Sequence, residues 1–100
     1  MGISMTLAAG GDKVTIAVTG NFDFELYDQF RAAYANTAGN GVTYVVDLSA
    51  TEHLDSSALG MLLLLREHAG GNASKVEIRG ASVEVRRLLD VANFSRLFKL

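Results

Sequence analysis

The chain has no cysteine. A disulfide framework, a thiolate metal site and a cysteine nucleophile are therefore excluded. It also lacks an excess of positive charge: the formal net charge is -2, whereas a nucleic-acid binder shows a basic patch or stripe. No apolar run approaches the ~20 residues that span a bilayer, so no membrane insertion is expected. The opening residues Met1-Gly2-Ile3-Ser4-Met5-Thr6 carry no basic stretch and no cleavable apolar segment. No secretion signal is expected from them. What is present is 100 residues, 49% hydrophobic and 20% charged. That length suits one domain over residues 1–100. Such a domain buries roughly 65% of the surface its unfolded chain exposes, enough for one core without staples. The composition points to a small, soluble, cytoplasmic α/β domain. Nothing in it demands an oligomer, so a monomer is expected.

Hydropathy alternation places the elements. Ile3, Met5 and Leu7 alternate with Ser4 and Thr6, the period of a half-buried strand. Ala8-Ala9-Gly10-Gly11-Asp12 reads as a tight turn. Val14, Ile16 and Val18 form a second strand that pairs antiparallel with the first and breaks at Gly20-Asn21. Asp23 can cap a helix running to about Asn36, with an apolar stripe of Leu26, Phe30, Ala33 and Tyr34. After a polar break from Asn36 to Gly41, Val42 to Leu48 is apolar on both faces, as a central strand is. A second helix runs from about Ser56 to Ala69 and stops at Gly70-Gly71. Val76 and Ile78 mark a fourth strand. Ser82 caps a third helix with the stripe Val85, Leu88, Leu89 and Ala92, and Phe94, Leu97 and Phe98 form a short terminal helix. The order is β-β-α-β-α-β-α-α. Its strand–helix–strand pieces imply parallel pairing. The expected architecture is a small mixed β-sheet with packed helices.

Catalytic signatures are missing. There is no phosphate loop, no dinucleotide fingerprint and no nucleophile elbow. His53 and His68 stand 15 positions apart without metal-ligand spacing; they read as a loop residue and a solvent-facing helix residue. The carboxylates are scattered, with no pair set for acid–base work. The chain is not expected to be an enzyme, and no metal or cofactor is expected.

One segment stands out. A buried strand ends at Asp47-Leu48, a short loop follows, and Asp55-Ser56-Ser57 opens the second helix. Asp55 is a good N-cap, because its carboxylate accepts from the orphan N–H groups of the first turn. The same residues could be nothing more than a cap. Two adjacent hydroxyls nevertheless lie where the helix N-terminus favours an anion. At ~100° per residue, Ala58, Leu62, Leu65 and Ala69 share a face that belongs to the core. Ser57, Met61, Leu64 and His68 share another face, which reads as an apolar docking surface beside a serine.

Asp55-Ser56-Ser57-Ala58-Leu59-Gly60 resembles the Asp-Ser-Ser-Gly-Leu-Gly signature of STAS domains, the family of bacterial anti-sigma-factor antagonists. The resemblance covers nearly the whole chain. Gly20-Asn21-Phe22-Asp23 is similar to the family's Gly-x-apolar-Asp element before its first helix. Val45-Val46-Asp47-Leu48-Ser49 is similar to the strand leading into the signature, and the stretch from Val83 to Phe94 resembles its third helix. Ala58 and Asn93 stand where the family usually has glycine. Alanine is favourable in a helical turn, and asparagine tolerates the left-handed conformation of a helix end.

The resemblance implies a STAS-like fold and a partner-switching role in transcription regulation. In the family, the second serine of the signature is phosphorylated by an ATP-binding anti-sigma serine kinase. That serine maps onto Ser57. The unmodified domain binds the kinase-type anti-sigma factor and frees a sigma factor; phosphorylation blocks binding, and a PP2C-type phosphatase reverses it. Asp23, Asp55 and Ser56 would form the environment of the acceptor, and Gly60, Met61 and Leu64 the partner-binding surface. An alternative is the STAS accessory subunit of a lipid-transport ABC complex, although those domains commonly carry threonine or an altered loop at the signature. A pure scaffold that is never modified is a further alternative. A phospho-aspartate receiver with Asp47 as acceptor is disfavoured, because no acidic pair follows either early strand.

Overall fold

A computed structural model describes residues 2–8, 10–39 and 41–100. Ala9 of the expected hairpin turn and Asn40 of the expected polar break lie outside the described residues, as does Met1. Four strands, β1 (Gly2–Leu7), β2 (Lys13–Phe22), β3 (Thr43–Leu54) and β4 (Lys75–Arg79), form one sheet in the order β1-β2-β3-β4. β1 pairs antiparallel with β2, and the other two pairings are parallel. The helices are α1 (Tyr27–Ala35), α2 (Ser56–His68) and α3 (Val83–Val91), with 3-10 turns at Phe24–Leu26, Gly71–Ala73 and Phe94–Arg96. The mixed sheet with packed helices is the expected architecture. Among the described residues no helix is long and apolar enough to cross a membrane.

Strand alternation sorts the sheet into two faces. Val14, Ile16 and Val18 of β2, Tyr44, Val46 and Leu48 of β3, and Val76 and Ile78 of β4 are all buried. They form one cluster with Phe30, Tyr34, Leu62, Leu65, Val85 and Leu89 from the helices. The opposite face carries Thr15, Ala17, Asp47 and Glu77, which are half-buried. Period-two side-chain placement makes this division automatic once one face is covered.

Several element ends differ from expectation. β2 does not break at Gly20-Asn21 but continues to Phe22. Gly20 sits at φ 85° beside a register shift, so the glycine forms a bulge instead of a terminator. β3 likewise runs through the expected loop to Leu54. The first helix opens as a 3-10 turn over Phe24–Leu26 before α1 begins at Tyr27. In α3 the stripe is narrower than expected: Val85 and Leu89 are buried, but Leu88 is 45% exposed. Asn93 follows α3 at φ 61°, the left-handed conformation expected of it.

The chain closes one sheet edge itself. Phe94 and Phe98 are buried and stack at 5.1 Å. They bring Lys99 alongside β4, where its N–H donates to the Val76 carbonyl (3.1 Å) and its carbonyl accepts from the Ile78 N–H (2.7 Å). His68 is half-buried and not the solvent-facing residue expected. Its Nε2 lies 3.0 Å from the Thr37 carbonyl oxygen, and the Thr37 hydroxyl bonds the buried Tyr44 hydroxyl at 2.6 Å. Gly39 packs against the backbone of His68 so closely that a Cβ there would fall on its carbonyl oxygen.

Candidate functional site

The parallel register of β2 and β3 builds the site. Its last pair is Phe22 with Leu54. The next residue on each strand is an aspartate, Asp23 and Asp55. Two aspartates 32 positions apart in sequence are therefore placed at the carboxyl ends of adjacent strands. The Asp55 N–H donates to the Phe22 carbonyl at 3.4 Å and extends the ladder by one rung. Asp23 and Asp55 line a groove of about 220 Å³ together with Asn21, Phe22, His53 and Leu54. The crevice beyond the carboxyl ends of strands is where open α/β sheets place ligand sites.

Each aspartate also starts the helix that follows it. Asp23 accepts from the Glu25 N–H at 3.0 Å, and Asp55 accepts from the Ala58 N–H at 3.1 Å. Both backbones are extended at the cap, the conformation an N-cap requires. Capping and site-building are thus done by the same side chains. Asp55→Ala is expected to lower stability by about 1 kcal/mol, the usual cost of losing a cap. In a domain of this size that is a fall in melting temperature of roughly 4–8 °C. An unchanged melting curve would show that water replaces the cap without loss.

Ser56 and Ser57 form the first turn of α2; Ser56 is exposed and Ser57 half-buried. Neither lines the groove. Further along, Ala58, Leu62, Leu65 and Ala69 are buried against the sheet, as their shared face predicts. The exposed face carries Gly60, Leu63 (38% exposed) and Leu64 (47% exposed). A Cβ added at Gly60 would meet nothing within 4 Å.

Met61 is a correction. It was expected beside Leu64 on the exposed face, but it is only 3% exposed and belongs to the core cluster. The core-facing arc of α2 is wide enough to take 58, 61, 62 and 65 together, as the common i, i+3, i+4, i+7 pattern does. Leu63 stands in its place on the outside. Its position seven residues after Ser56 is the signal that could have found it, since seven residues return a helix to nearly the same face.

Two neighbours were not anticipated. Phe24 is 67% exposed next to Asp23, stacked on Tyr27 at 5.5 Å. His53 lies in β3 opposite Asn21, not in a loop. Thr51, by contrast, is closed off: its hydroxyl is buried and donates to the Val18 carbonyl at 2.8 Å. Asp47 accepts from the Ser49 N–H at 2.9 Å. Hydrogen bonding from Ser49, side chain first and backbone second, holds the Asp47 carboxyl below its ordinary pKa. Among the described residues no three His, Asp or Glu side chains gather as metal ligands do.

Comparisons with known proteins find chains similar to this one over nearly its whole length. A family model described as Mlab, STAS domain matches residues 5–99. A STAS-domain containing protein of Pseudomonas aeruginosa (strain UCBPP-PA14) is 47% identical over 100 residues, covering 100% of this chain and 99% of that protein. Among solved structures, the phosphorylated form of the Bacillus cell fate determinant SpoIIAA superposes with a TM-score of 0.71 at 15% identity, over 96% of this chain and 87% of that one. An anti-sigma factor antagonist from Mycobacterium paratuberculosis gives 0.73 at 22% identity, over 96% and 82%.

Proposed function

The chain belongs to the STAS-domain family, and from that premise we propose that it is an anti-sigma-factor antagonist working as a phosphorylation-controlled interaction switch. Unmodified, it binds a kinase-type anti-sigma factor through the exposed face of α2. The kinase phosphorylates Ser57, the complex dissociates, and a PP2C-type phosphatase restores the binding form. Its role is regulatory binding and not catalysis.

The observation that carries this reading is the juxtaposition at the start of α2. Two serine hydroxyls are presented at a helix N-terminus, beside a groove flanked by Asp23 and Asp55. On the same helix, Gly60, Leu63 and Leu64 offer a shallow apolar surface. Ser57 and Leu64, seven residues apart, fall within about 20° of each other around the helix. Thr51 supports the choice by elimination, since its hydroxyl is buried and out of a kinase's reach.

Intact-mass measurement on the protein recovered from its host, followed by phosphopeptide mapping, tests the reading. One added phosphate located on Ser57 is the expected result. Phosphate on Ser56 would refute the assignment of the acceptor. An unmodified chain under every growth condition, recovered in complex with a transport ATPase, would favour the accessory-subunit alternative.

A further inference from the structure

We propose that the outer face of α3 is a second docking surface, separate from the start of α2, and that it takes an acidic, apolar peptide segment of a partner protein. Charge along the chain is unevenly divided. Residues 75–100 hold six of the nine Lys and Arg but only three of the eleven Asp and Glu. The two aspartates of the α2 site belong to the acidic remainder. The segment from residue 75 to residue 100 is thus net positive, although within α3 Arg86 and Arg87 are balanced by Glu84 and Asp90.

The α3 surface is also more apolar than a solvated helix needs. Val83 is 79% exposed, Val91 77% and Leu88 45%. Val83, Arg87 and Val91 follow one another at i, i+4 and i+8, a single ridge along the helix. Scattered exposed apolar residues are ordinary, but an aligned set rimmed by charge marks an interaction site. Valine is in addition a weak helix former, so two of them at exposed positions oppose local stability. Inside the domain α3 has spent its buried face, Val85 and Leu89, on the core.

The grooves beside the ridge set the chemistry of the occupant. Val83, Val91, Ala81, Arg86, Arg87 and Asp90 line one of about 410 Å³. A neighbouring one of about 290 Å³ shares Ala81 and Arg86 and adds Arg79, Lys99 and Glu77. Two of these four cations are matched at home: Arg79 bonds Glu77 at 3.2 Å and Arg86 bonds Asp90 at 3.1 Å. Arg87 and Lys99 have no ion-pair partner among the described residues. Glu84, also on α3, is exposed and lines neither groove. The combined surface therefore offers two uncommitted cations, Arg87 between the two valines of the ridge and Lys99 in the neighbouring groove. An amphipathic segment with aliphatic side chains on one face and carboxylates along its border matches both features, and charge complementarity would steer its approach.

The test uses the full chain, isotopically labelled, titrated with a synthetic amphipathic peptide bearing leucine at i, i+4 and i+8 and glutamate at its flanks. A twin peptide with lysine for glutamate is the control. The acidic peptide is expected to shift the amides of residues 79–91 saturably, and the lysine twin to bind at least about tenfold more weakly. Arg87→Glu and the double variant Val83→Ser, Val91→Ser should each weaken binding about tenfold without lowering the melting temperature, because all three side chains are exposed. Ser57→Asp should leave this binding unchanged, which separates the surface from the α2 switch. Equal binding of both peptides, shifts centred on residues 55–64, no saturable shift, or attachment to anionic phospholipid vesicles in place of the peptide would each overturn the proposal.

Discussion

Phosphorylation of Ser57, or its mimic Ser57→Asp, is expected to weaken binding to the anti-sigma partner by more than about a hundredfold while leaving the fold intact. The phosphate brings a charge of about −1.5 to −2. At the N-terminus of α2 that charge meets the positive end of the helix, a gain of ~0.3–1 kcal/mol. Asp55, two residues away, repels it and offsets part of the gain. The sum is too small to rearrange a core in which Ala58, Leu62 and Leu65 are all fully buried. The effect must therefore fall on the interface. There the unmodified Ser57, a half-buried residue with a small neutral side chain, adds little cost to a contact made over Leu64. A dianion at the same place must be desolvated without a partner shaped for it, and a buried unpaired charge is expensive. A penalty of only ~3 kcal/mol suffices for a loss above a hundredfold, since ~1.4 kcal/mol is tenfold. Calorimetric titration of the purified partner with wild type, Ser57→Asp and Ser57→Ala measures it. Ser57→Ala should bind like wild type and resist the kinase. A Ser57→Asp protein that melts many degrees below wild type would show that the switch works by unfolding, and one that binds normally would remove Ser57 from the interface.

The sequence made the order of elements and the caps of its helices legible, because both depend on local signals. Asp55 and Ser82 cap helices where they were expected to, and Gly70, at φ 118°, ends α2. What it hid were features set by pairing between distant segments. β2 and β3 overrun their apparent ends because each continues to find backbone partners in the other as far as Phe22 and Leu54, and no local residue pattern announces that. The same register brings Asp23 beside Asp55, which the sequence could place only by resemblance. His68 looked solvent-facing because its partners, Thr37 and Tyr44, come from a different element. Helix faces were legible only to within one residue position. A stripe defined at ~100° per residue cannot say how wide the core-facing arc is, and that width put Met61 inside.

That width leads to the second large effect, a contrast between two neighbours on α2. Met61→Ala is expected to cost about 2–5 kcal/mol of stability, the range for emptying a buried methionine or leucine site. Met61 is 3% exposed and belongs to the same cluster as Leu62 and Leu65, so its truncation leaves a cavity among side chains already close-packed. Binding per folded molecule should be unaffected. Leu64→Ala should do the reverse. At 47% exposure the side chain has little packing to lose within the domain, and its stability change should be small. What remains exposed is available to a partner. Burying about half of a leucine is worth roughly 1 kcal/mol, or about fivefold in affinity, and more if Leu64 sits at the centre of the contact. Thermal melts and partner titrations on both variants, with affinities corrected for the folded fraction, separate the two outcomes. If Met61→Ala bound weakly while melting normally, the core assignment of Met61 would fail. If Leu64→Ala bound normally while melting normally, the partner would have to dock away from the exposed face of α2, and Gly60 and Leu63 would lose their role along with it.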